Sequence, residues 1–399
     1  MSEEKLVPKL RFSGFDDEWI IKKLNDVSDV NPKTRELPEK FVYIDLDSVN
    51  HGILTKFNQI TKNEAPSRAQ RCLNVNDILF QTVRPYQMNN LFFELYDGEY
   101  VASTGYAQIK SKIVPKFLYY YLHYNKFVNE VLNCCTGTSY PAINSNDLKK
   151  IKIKIPSSSN EQRLIGDLFY KLDQKIELLK DKYNYYQDFK KFLMQQIFTQ
   201  KLRFADIDSG WKEISLKDIG TFYRGHSYNS TNVADEGLLV LRSNNIRGNV
   251  LDFSEDGLQF VDKDCKKELE LQKNDIVICM SNGTRRLVGK SAEYTGNYEN
   301  KVTVGAFCSI FRTENKLAKY LFQTESYKKN LYLILAGTNI NNLKNSDLEK
   351  FKFNIPTNES EINKIHDLFV SIDNKIDYNK KQLEEITLFK KGLLQQMFV

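Results

Sequence analysis

The chain has 399 residues, and at roughly 150 residues per domain this length predicts two or three domains. Hydrophobic residues make up 41% and charged residues 27%, which excludes a disordered polar chain, and no apolar run approaches the ~18 residues of a membrane-spanning helix. The net charge of +6 permits a nucleic-acid partner without establishing one. The charged N-terminus has no apolar signal core and the six cysteines are scattered, so we expect a cytoplasmic protein with reduced thiols.

In chain order, the sequence predicts a globular domain at residues 1–156, a long helix at 157–200, a second globular domain at 201–356 and a second long helix at 357–399. Short runs rich in β-branched and aromatic residues predict strands in both domains, and two aromatic-rich runs predict short helices. The predicted strands include residues 41–44, 77–80 and 275–278, and the predicted short helices include 117–122 and 319–322. The fold class is therefore mixed α/β.

Both long helices carry apolar residues spaced alternately three and four apart, which is the heptad pattern of a coiled coil. The predicted seam residues are Ile165, Phe169, Leu172, Ile176 and Leu179 in the first helix and Ile365, Phe369, Ile372, Ile376 and Leu383 in the second. A helix of about 40 residues is roughly 60 Å long, and the simplest partner for each helix is the other. Lys190, Asn379 and Lys390 also lie on the seam, where polar residues fix register. Two ordinary core helices are the alternative interpretation.

An internal repeat organises the chain. The last part of each half recurs at an offset of 200 residues, and the opening of each half recurs at an offset of 192. The matching segments include residues 9–12 and 201–204, the tryptophans Trp19 and Trp211, residues 76–78 and 274–276, the Gly-Thr pairs at 137–138 and 337–338, the Ile-Pro pairs at 155–156 and 355–356, and the predicted capping boxes at 158–161 and 358–361. The middles of the halves differ, so a duplicated frame carries divergent contents.

Tests for catalytic chemistry are negative. An adenine methyltransferase needs an Asn/Asp-Pro-Pro-aromatic loop, but residues 31–33 read Asn-Pro-Lys. The segment from Gly283 to Ser291 resembles a P-loop, but it has five residues between its glycines instead of four. The four histidines are too dispersed for a metal site. The sequence therefore gives poor support to a catalytic role, and its histidine spacing does not favour a metal site.

The ordered duplication of these segments, together with the repeated ends of the long helices at 189–196 and 389–396, resembles the specificity subunit of type I restriction–modification enzymes across essentially the whole chain. The resemblance implies two target recognition domains that each read one half of a bipartite, asymmetric site in double-stranded DNA. It further implies that the two helices form an antiparallel coiled coil that docks two modification (methyltransferase) subunits. Restriction subunits would join that complex, and S-adenosylmethionine, ATP and magnesium would belong to those partners. The resemblance thus implies that this chain is not itself an enzyme and binds neither a metal nor a cofactor.

Candidate DNA contacts are Arg, Lys, Asn, His, hydroxyl and aromatic residues in the loops between predicted elements. Arg84 suits a bidentate contact to guanine, and Arg285 with Arg286 forms a basic hairpin tip where the P-loop-like segment lies. The complete set is Lys33, Arg35, Arg84, Tyr86, Thr104, Tyr106, Thr138, Ser139, Tyr140, Arg224, His226, Arg242, Asn244, Asn245, Asn282, Thr284, Arg285, Arg286, Lys290 and Asn339. Any one of them could instead be a solvated charge or a local cap.

Three other functions remain open from the sequence. The chain could be the specificity subunit of another methyltransferase system with the same two-module plan. It could be a coiled-coil scaffold without sequence-selective DNA binding. A solitary nuclease or methyltransferase would require activity from the purified chain alone.

Overall fold

The computed structural model describes residues 5–137, 139–204, 210–254, 257–337 and 341–399. The chain divides into two compact units. Unit 1 contains residues 1–182 and 379–399, and unit 2 contains residues 183–378. Each unit therefore combines one predicted recognition domain, the first part of the long helix that follows it and the last part of the other long helix. No helix among the described residues is both long and apolar enough to cross a membrane.

Unit 1 is built from two four-stranded sheets and two two-stranded ribbons. Its strands are β1 (Ile20–Lys23), β2 (Ser28–Val30), β3 (Lys40–Ile44), β4 (Val49–Asn50), β5 (Ile53–Leu54), β6 (Asn58–Thr61), β7 (Ala69–Cys72), β8 (Ile78–Gln81), β9 (Leu91–Phe92), β10 (Tyr100–Ser103), β11 (Tyr106–Ser111) and β12 (Lys152–Ile155). Its helices are α1 (Leu24–Val27), α2 (Pro115–Tyr121), α3 (Asn125–Asn133), α4 (Ser145–Lys150) and the start of α5 (Ser159–Phe198). The strand orders are β6-β3-β10-β7 and β2-β11-β8-β9, with β1-β12 and β4-β5 as ribbons.

Unit 2 repeats this plan with different details. Its strands are β13 (Trp211–Ser215), β14 (Thr221–Arg224), β15 (Val233–Ala234), β16 (Leu238–Leu241), β17 (Ile246–Arg247), β18 (Val250–Leu251), β19 (Phe260–Val261), β20 (Ile276–Cys279), β21 (Ser291–Glu293), β22 (Val302–Val304), β23 (Cys308–Arg312) and β24 (Lys352–Pro356). Its helices are α6 (Leu216–Ile219), α7 (Ala318–Leu321), α8 (Glu325–Ala336), α9 (Asn345–Leu348) and the start of α10 (Glu359–Gln396). The sheets are β14-β23-β20-β21 and β15-β19-β16-β22, with ribbons β13-β24 and β17-β18.

The predicted strands and short helices are present to within two residues at their ends: β3, β8 and β20 correspond to the predicted strands, and α2 and α7 to the predicted helices. In both units one sheet contains a parallel pair, β3 with β10 and β16 with β22, among antiparallel neighbours. The similar sheet orders show that the divergent middles keep the repeated frame. The repeated Asn-Asp-Ile segments form its turns, since Asn76 and Asn274 have left-handed φ values of 70° and 73°.

The opening and the exit of each module pair as an antiparallel ribbon. Ile20 pairs with Ile155 in unit 1, and Trp211 pairs with Pro356 in unit 2. This pairing explains why the sequence repeats at both ends of each module. The ribbon also brings the start of each long helix close to the start of its module.

The predicted seam is buried in both units. Ile165, Phe169, Leu179, Ile365, Phe369 and Ile372 are buried, while Leu172, Ile176, Ile376 and Leu383 are half-buried. In unit 1 Phe169 stacks on Phe398, with ring centroids 5.7 Å apart, and in unit 2 Phe369 stacks on Phe198 at 6.2 Å. The helices run antiparallel in each unit. In unit 1 Asp173 follows Phe169 on one helix, while its partner Lys390 precedes Phe398 on the other. In unit 2 Asp373 follows Phe369, and Lys190 precedes Phe198.

The seam lysines form a repeated polar network. In unit 1 Lys390 pairs with Asp173, which also accepts a hydrogen bond from the Tyr120 hydroxyl at 2.8 Å. In unit 2 Lys190 pairs with Asp373 at 2.6 Å, and Asp373 accepts from the Tyr320 hydroxyl at 3.1 Å. Both lysines also lie over the ring of the same tyrosine, at 5.4 and 5.3 Å from its centroid. These contacts fix the register of the helices against each module.

The predicted capping boxes are only half formed. Ser158 Oγ accepts from the backbone N–H of Glu161 at 3.5 Å, as a cap should. The Glu161 carboxylate does not return to the helix start, because it accepts from Arg11 at 2.7 and 2.9 Å and from Trp19 Nε1 at 3.3 Å.

Unit 2 contains the equivalent buried contact. Glu361 accepts from Arg203 at 3.3 and 3.2 Å and from Trp211 Nε1 at 3.2 Å. Both carboxylate side chains are 1% exposed, whereas Arg11 is 11% and Arg203 31% exposed. We call these two clusters the Arg–Trp–Glu latches.

Removing Glu161 should destabilise unit 1 by about 3–5 kcal/mol, because a largely buried guanidinium and an indole N–H lose their acceptor. The loss in unit 2 should be smaller for Glu361→Ala, since the hydrogen bonds of Glu361 to Arg203 are longer than those of Glu161 to Arg11, and Arg203 is more exposed. The chain has two tryptophans, one in each latch, so removing one leaves the fluorescence of the other as a probe of its own unit. The effect of Glu161→Ala is followed by Trp19 fluorescence in a Trp211→Phe background, and that of Glu361→Ala by Trp211 fluorescence in a Trp19→Phe background. Exposed Glu359→Ala is the control; equal losses in urea unfolding for all three would contradict the latch.

Candidate nucleic-acid interface

Three segments of unit 1 converge at one end of its sheets, and we call residues 82–88, 104–105 and 139–142 the first rim. The backbone N–H and the hydroxyl of Thr82 both donate to the carbonyl of Gly105, at 3.0 and 2.8 Å. The backbone N–H of Arg84 donates to the carbonyl of Pro141 at 2.7 Å, beside an antiparallel bridge between Val83 and Ala142. The first rim is therefore tied together mainly by backbone contacts, and Tyr86, Ser139 and Tyr140 on it are exposed.

Arg84 is the most prominent side chain of the first rim. It has a left-handed φ of 53° and precedes the short 3₁₀ helix Pro85–Gln87. Its guanidinium lies 4.3 Å from the centroid of the Tyr140 ring, and Tyr140 and Tyr86 are 64% and 49% exposed. No carboxylate in the described part of the chain lies within ion-pair distance of Arg84. A guanidinium held over an aromatic ring has less freedom to move than one in solvent, and its paired donors suit the two acceptors of a guanine.

Buried polar side chains support this loop from below. Gln81 donates to Gln87 Oε1 at 2.9 Å and accepts from the backbone N–H of Asn89 at 3.1 Å. Asn90 accepts from the backbone N–H of Gln81 at 2.8 Å and lies 3.4 Å from His123 Nε2. Burial lowers the pKa of His123 to about 4, and the positive charge of Lys390 acts in the same direction. His123 is therefore neutral near pH 7.

Four segments of unit 2 converge in the equivalent place, and we call residues 224–226, 242–245, 281–286 and 304–307 the second rim. The backbone N–H of His226 donates to Val304 at 2.7 Å, and that of Gly305 donates to Leu241 at 2.9 Å. Asn282 Nδ2 donates to Ser243 Oγ at 3.0 Å. A β-carbon on Gly225 would lie 2.1 Å from the Gly305 carbonyl oxygen, so this close approach of two backbones requires glycine there.

The P-loop-like segment is a connection between two antiparallel strands. It joins β20 to β21 through the 3₁₀ helix Arg285–Leu287, whereas a P-loop leads into an α-helix that holds phosphates. Gly289 has φ +82°, and a β-carbon there would meet Leu331 at 2.4 Å, so the backbone conformation and the packing against Leu331 account for a glycine at this position. Arg285 and Arg286 are exposed, and no described carboxylate lies within ion-pair distance of either. The segment has the geometry of the predicted basic hairpin tip.

Two side chains of the second rim contain buried nitrogen atoms that lack a hydrogen-bond partner among the described residues: His226 Nε2 and Arg242 Nε. Burial and the nearby Lys263 lower the pKa of His226. Buried polar nitrogen atoms without a partner are rare in folded proteins, and a bound ligand is one way to satisfy them.

The structure places the other predicted contacts at different depths. Exposed positions are Lys33, Arg35, Ser139, Arg224, Asn244 and Thr284, and Arg35 is paired with Glu99. Thr104 is half-buried on the first rim, and Lys290 is half-buried with its ammonium donating to the carbonyl of Ile246 at 2.8 Å. Thr138 and Asn339 lie outside the described residues.

Two predicted contacts need correction. Tyr106 is 1% exposed and packs in the core of unit 1 among aliphatic and aromatic residues, so it cannot touch a ligand on the rim in this conformation. Asn245 is 2% exposed, and its side chain holds the loop by donating to the carbonyls of Asp252 and Gly257 at 3.3 and 3.1 Å. Both are structural residues, because periodicity alone does not separate the buried face of a strand or loop from the exposed one.

Other candidate residues were missed. Arg71 on β7 has a buried Nε without a partner among the described residues, and burial lowers the pKa of Arg71. Arg68 is exposed next to it, and its carbonyl accepts from the backbone N–H of Thr104 at 2.9 Å on the first rim. Phe307 lies exposed on the second rim. The sequence did not predict strand β7, so the only signal for this segment was the presence of two arginines, Arg68 and Arg71, three residues apart.

Comparisons with known proteins agree with this architecture. The sequence model of the "Type I restriction modification DNA specificity domain" family matches residues 16–185 and 208–388, which is most of both halves. The chain belongs to this family of type I restriction–modification specificity subunits.

Individual relatives give the same result. The StySPI specificity subunit of Salmonella potsdam is 29% identical over 198 residues, covering 47% of this chain and 42% of that relative, so the match spans less than half the relative's length. The MjaVIII specificity subunit of Methanocaldococcus jannaschii is 24% identical over 382 residues, covering 90% of this chain and 85% of that protein. The crystal structure of an S subunit from M. genitalium aligns with a TM-score of 0.66 at 19% identity, over 98% and 99% of the two chains, and shares the fold.

Replacing His123 with glutamine should reduce the acid sensitivity of unit 1. Folded His123 has a pKa of about 4, and the unfolded side chain titrates near 6.5, so its contribution to stability is complete above pH 6.5 and declines as the pH falls to 4. That decline amounts to at most about 3 kcal/mol. Gln323 occupies the equivalent position in unit 2 and accepts from Lys190 at 2.9 Å, so glutamine fits this setting. Urea unfolding of Trp211→Phe at pH 7 and 4.5, followed by Trp19 emission, measures the difference; an unchanged pH dependence in His123→Gln would contradict the assignment.

Proposed function

We propose that this chain is the DNA-reading subunit of a type I restriction–modification complex, in which unit 1 reads one half of a bipartite, asymmetric site in double-stranded DNA and unit 2 reads the other. The observation that carries this proposal is the pair of rims at equivalent places in a duplicated fold. Arg84 and Asn282 occupy matching positions, since their backbone N–H groups donate to Pro141 and Asn341 beside matching bridges. A matched backbone with different side chains is what two different half-sites require.

The physical chemistry of the rims supports DNA as the ligand. Arg84, Arg285 and Arg286 present guanidinium groups that no described carboxylate neutralises. Arginine is the side chain best suited to guanine edges and to phosphates. The +6 net charge of the chain adds a weak attraction to a polyanion.

The long helices are proposed to set the spacing between half-sites and to dock two methyltransferase subunits. Exposed apolar side chains on the helices of both units support docking, among them Leu178 and Leu388 in unit 1 and Tyr185 and Phe192 in unit 2, because solvated helix faces seldom carry so many. The restriction subunits, S-adenosylmethionine, ATP and magnesium belong to the partner side of this proposal, as does all catalysis. The complex would act in the cytoplasm.

The experiment that tests the function is a genome-wide map of methylated adenines in the source cell with and without this gene. Loss of one bipartite motif, made of two short unlike blocks around an unread spacer, would establish the specificity role and identify the target. A second strain in which the gene carries the destabilising Glu161→Ala change should lose the same motif. Retention of every motif in an active methylation system would reject the proposal in favour of a scaffold.

Arg84→Ala should weaken recognition of the first half-site by about 1–3 kcal/mol and leave the second half-site unchanged. The reason is that Arg84 is the oriented guanidinium of the first rim. Competition binding by the assembled methyltransferase complex, with duplexes altered in one half-site at a time, measures this effect. The exposed Arg163→Ala on α5 is the matched control. Equal weakening on every duplex would mean that Arg84 contacts only phosphate.

Leu388→Glu should weaken assembly with the methyltransferase subunit while the chain stays folded, because Leu388 is 71% exposed on α10. Ile372→Glu should instead unfold the seam of unit 2, because it places a charge where the side chain is 4% exposed. Co-purification with the tagged methyltransferase subunit and thermal unfolding separate the two effects. Full assembly by Leu388→Glu would exclude this helix face from docking.

A further inference from the structure

One large apolar side chain of unit 2 lies on the second rim and not in the core. Phe307 is 70% exposed in the turn between β22 and β23. Its backbone is nevertheless fixed, because its carbonyl accepts from the backbone N–H groups of Met280 at 2.8 Å and Ser281 at 3.2 Å. An exposed phenylalanine ring on a well-anchored turn gains nothing from solvent, so it suggests a contact with a ligand.

The surroundings of Phe307 indicate which ligand. Ser281 leads directly into the basic hairpin tip with Arg285 and Arg286. On the other side, the Gly305 Cβ position is 3.8 Å from Arg242 Cγ, and Arg242 Nε is buried without a partner among the described residues. The turn that carries Phe307 therefore lies next to two basic segments, the hairpin tip and the strand end with Arg242, and a base bordered by phosphates complements such a pairing of an apolar ring with nearby cations.

Unit 1 has no side chain at this position. The carbonyl of Gly105 accepts from Thr82 as the carbonyl of Phe307 accepts from Met280 and Ser281, so Gly105 is the equivalent residue. Leu46 Cγ lies 3.0 Å from the place where a β-carbon would be. The two rims thus have the same backbone contacts at this position, but only the second rim carries a side chain there, the ring of Phe307.

We propose that Phe307 is a specificity-determining residue of unit 2 that makes an apolar contact with the bases of the second half-site. This inference rests on the proposed function of unit 2 as a DNA reader. A phenylalanine ring cannot donate to phosphate, and its available partners in a duplex are the faces of bases and the thymine methyl group. In this proposal the neighbouring arginines contact the phosphates of the DNA backbone, while the Phe307 ring discriminates between bases.

The test is Phe307→Ala in the full chain, assembled with its methyltransferase subunit and bound to duplexes that carry the motif found by methylation mapping. We expect binding to the intact site to weaken roughly 10-fold to 100-fold, the range of a lost base–aromatic contact. Preference for the correct second half-site should fall, while preference for the first half-site stays as in the wild type. The slope of log K against log salt should not change, because no phosphate contact is removed.

Two control variants separate this effect from others. Arg285→Ala should weaken binding and also reduce the salt slope by about one, as loss of a phosphate contact does. Tyr96→Ala removes an aromatic side chain that is 85% exposed on a loop of unit 1 containing Glu94, Asp97 and Glu99, and it should bind like the wild type. Thermal unfolding of Phe307→Ala should match that of the wild type.

Unchanged binding by Phe307→Ala would overturn the inference. Equal loss of preference for both half-sites, or a lowered melting temperature, would also overturn it, because either result would indicate a structural role for Phe307. The proposed function fails separately: a wild-type complex without preference for either half-site would reject DNA reading by this chain before any variant is compared. Wild-type preference for both half-sites together with an unaffected Phe307→Ala variant rejects only the role of Phe307.

Discussion

Glu161 and Glu361 each lie buried at the start of a long helix, between an arginine and a tryptophan that come from the opening of the same module. Taking a carboxylate out of water is costly, so the site is stable only when both donors are in place. The latch therefore makes three distant parts of the sequence depend on one another: the Lys-Leu-Arg-Phe opening, the ribbon that closes the module and the first turn of the helix. A module can vary its loops widely as long as this junction is intact.

A second repeated interaction extends that constraint along the helices. Each seam lysine meets an aspartate of the opposite helix and lies over a tyrosine of the module, so helix register and module orientation are fixed by the same three groups. Burial raises the pKa of Tyr120 and Tyr320, which keeps both phenols protonated as donors to the aspartates. The frame of each unit is thus held by polar contacts within an apolar seam, and these contacts specify one alignment where leucine and isoleucine alone would allow several.

Sequence reasoning was most successful where the pattern was long and periodic. The heptads identified the seam, and the repeat identified two equivalent modules, because both features are properties of spacing. Spacing could not reveal that Glu161 turns away from the helix cap toward Arg11, since that choice depends on a partner 150 residues earlier. It also could not show that Tyr106 is buried, because the two-residue period of a strand does not say which face meets the core. Asn245 and Phe307 lie in a 3₁₀ helix and a turn, where no strand period exists to separate the buried residue from the exposed one.

The composition of unit 1 has a consequence for the order of events during synthesis. Phe398 packs against Trp19 and Phe117, with ring centroids 6.3 and 5.6 Å apart, and Met397 belongs to the same core. Unit 2, by contrast, contains only residues from 183 to 378. The first module therefore completes its aromatic core only when residues 397 and 398 have been made, after all of the residues of unit 2. Long-range closure of this kind is slow, and it makes the earlier half the more vulnerable to aggregation and proteolysis in a nascent chain.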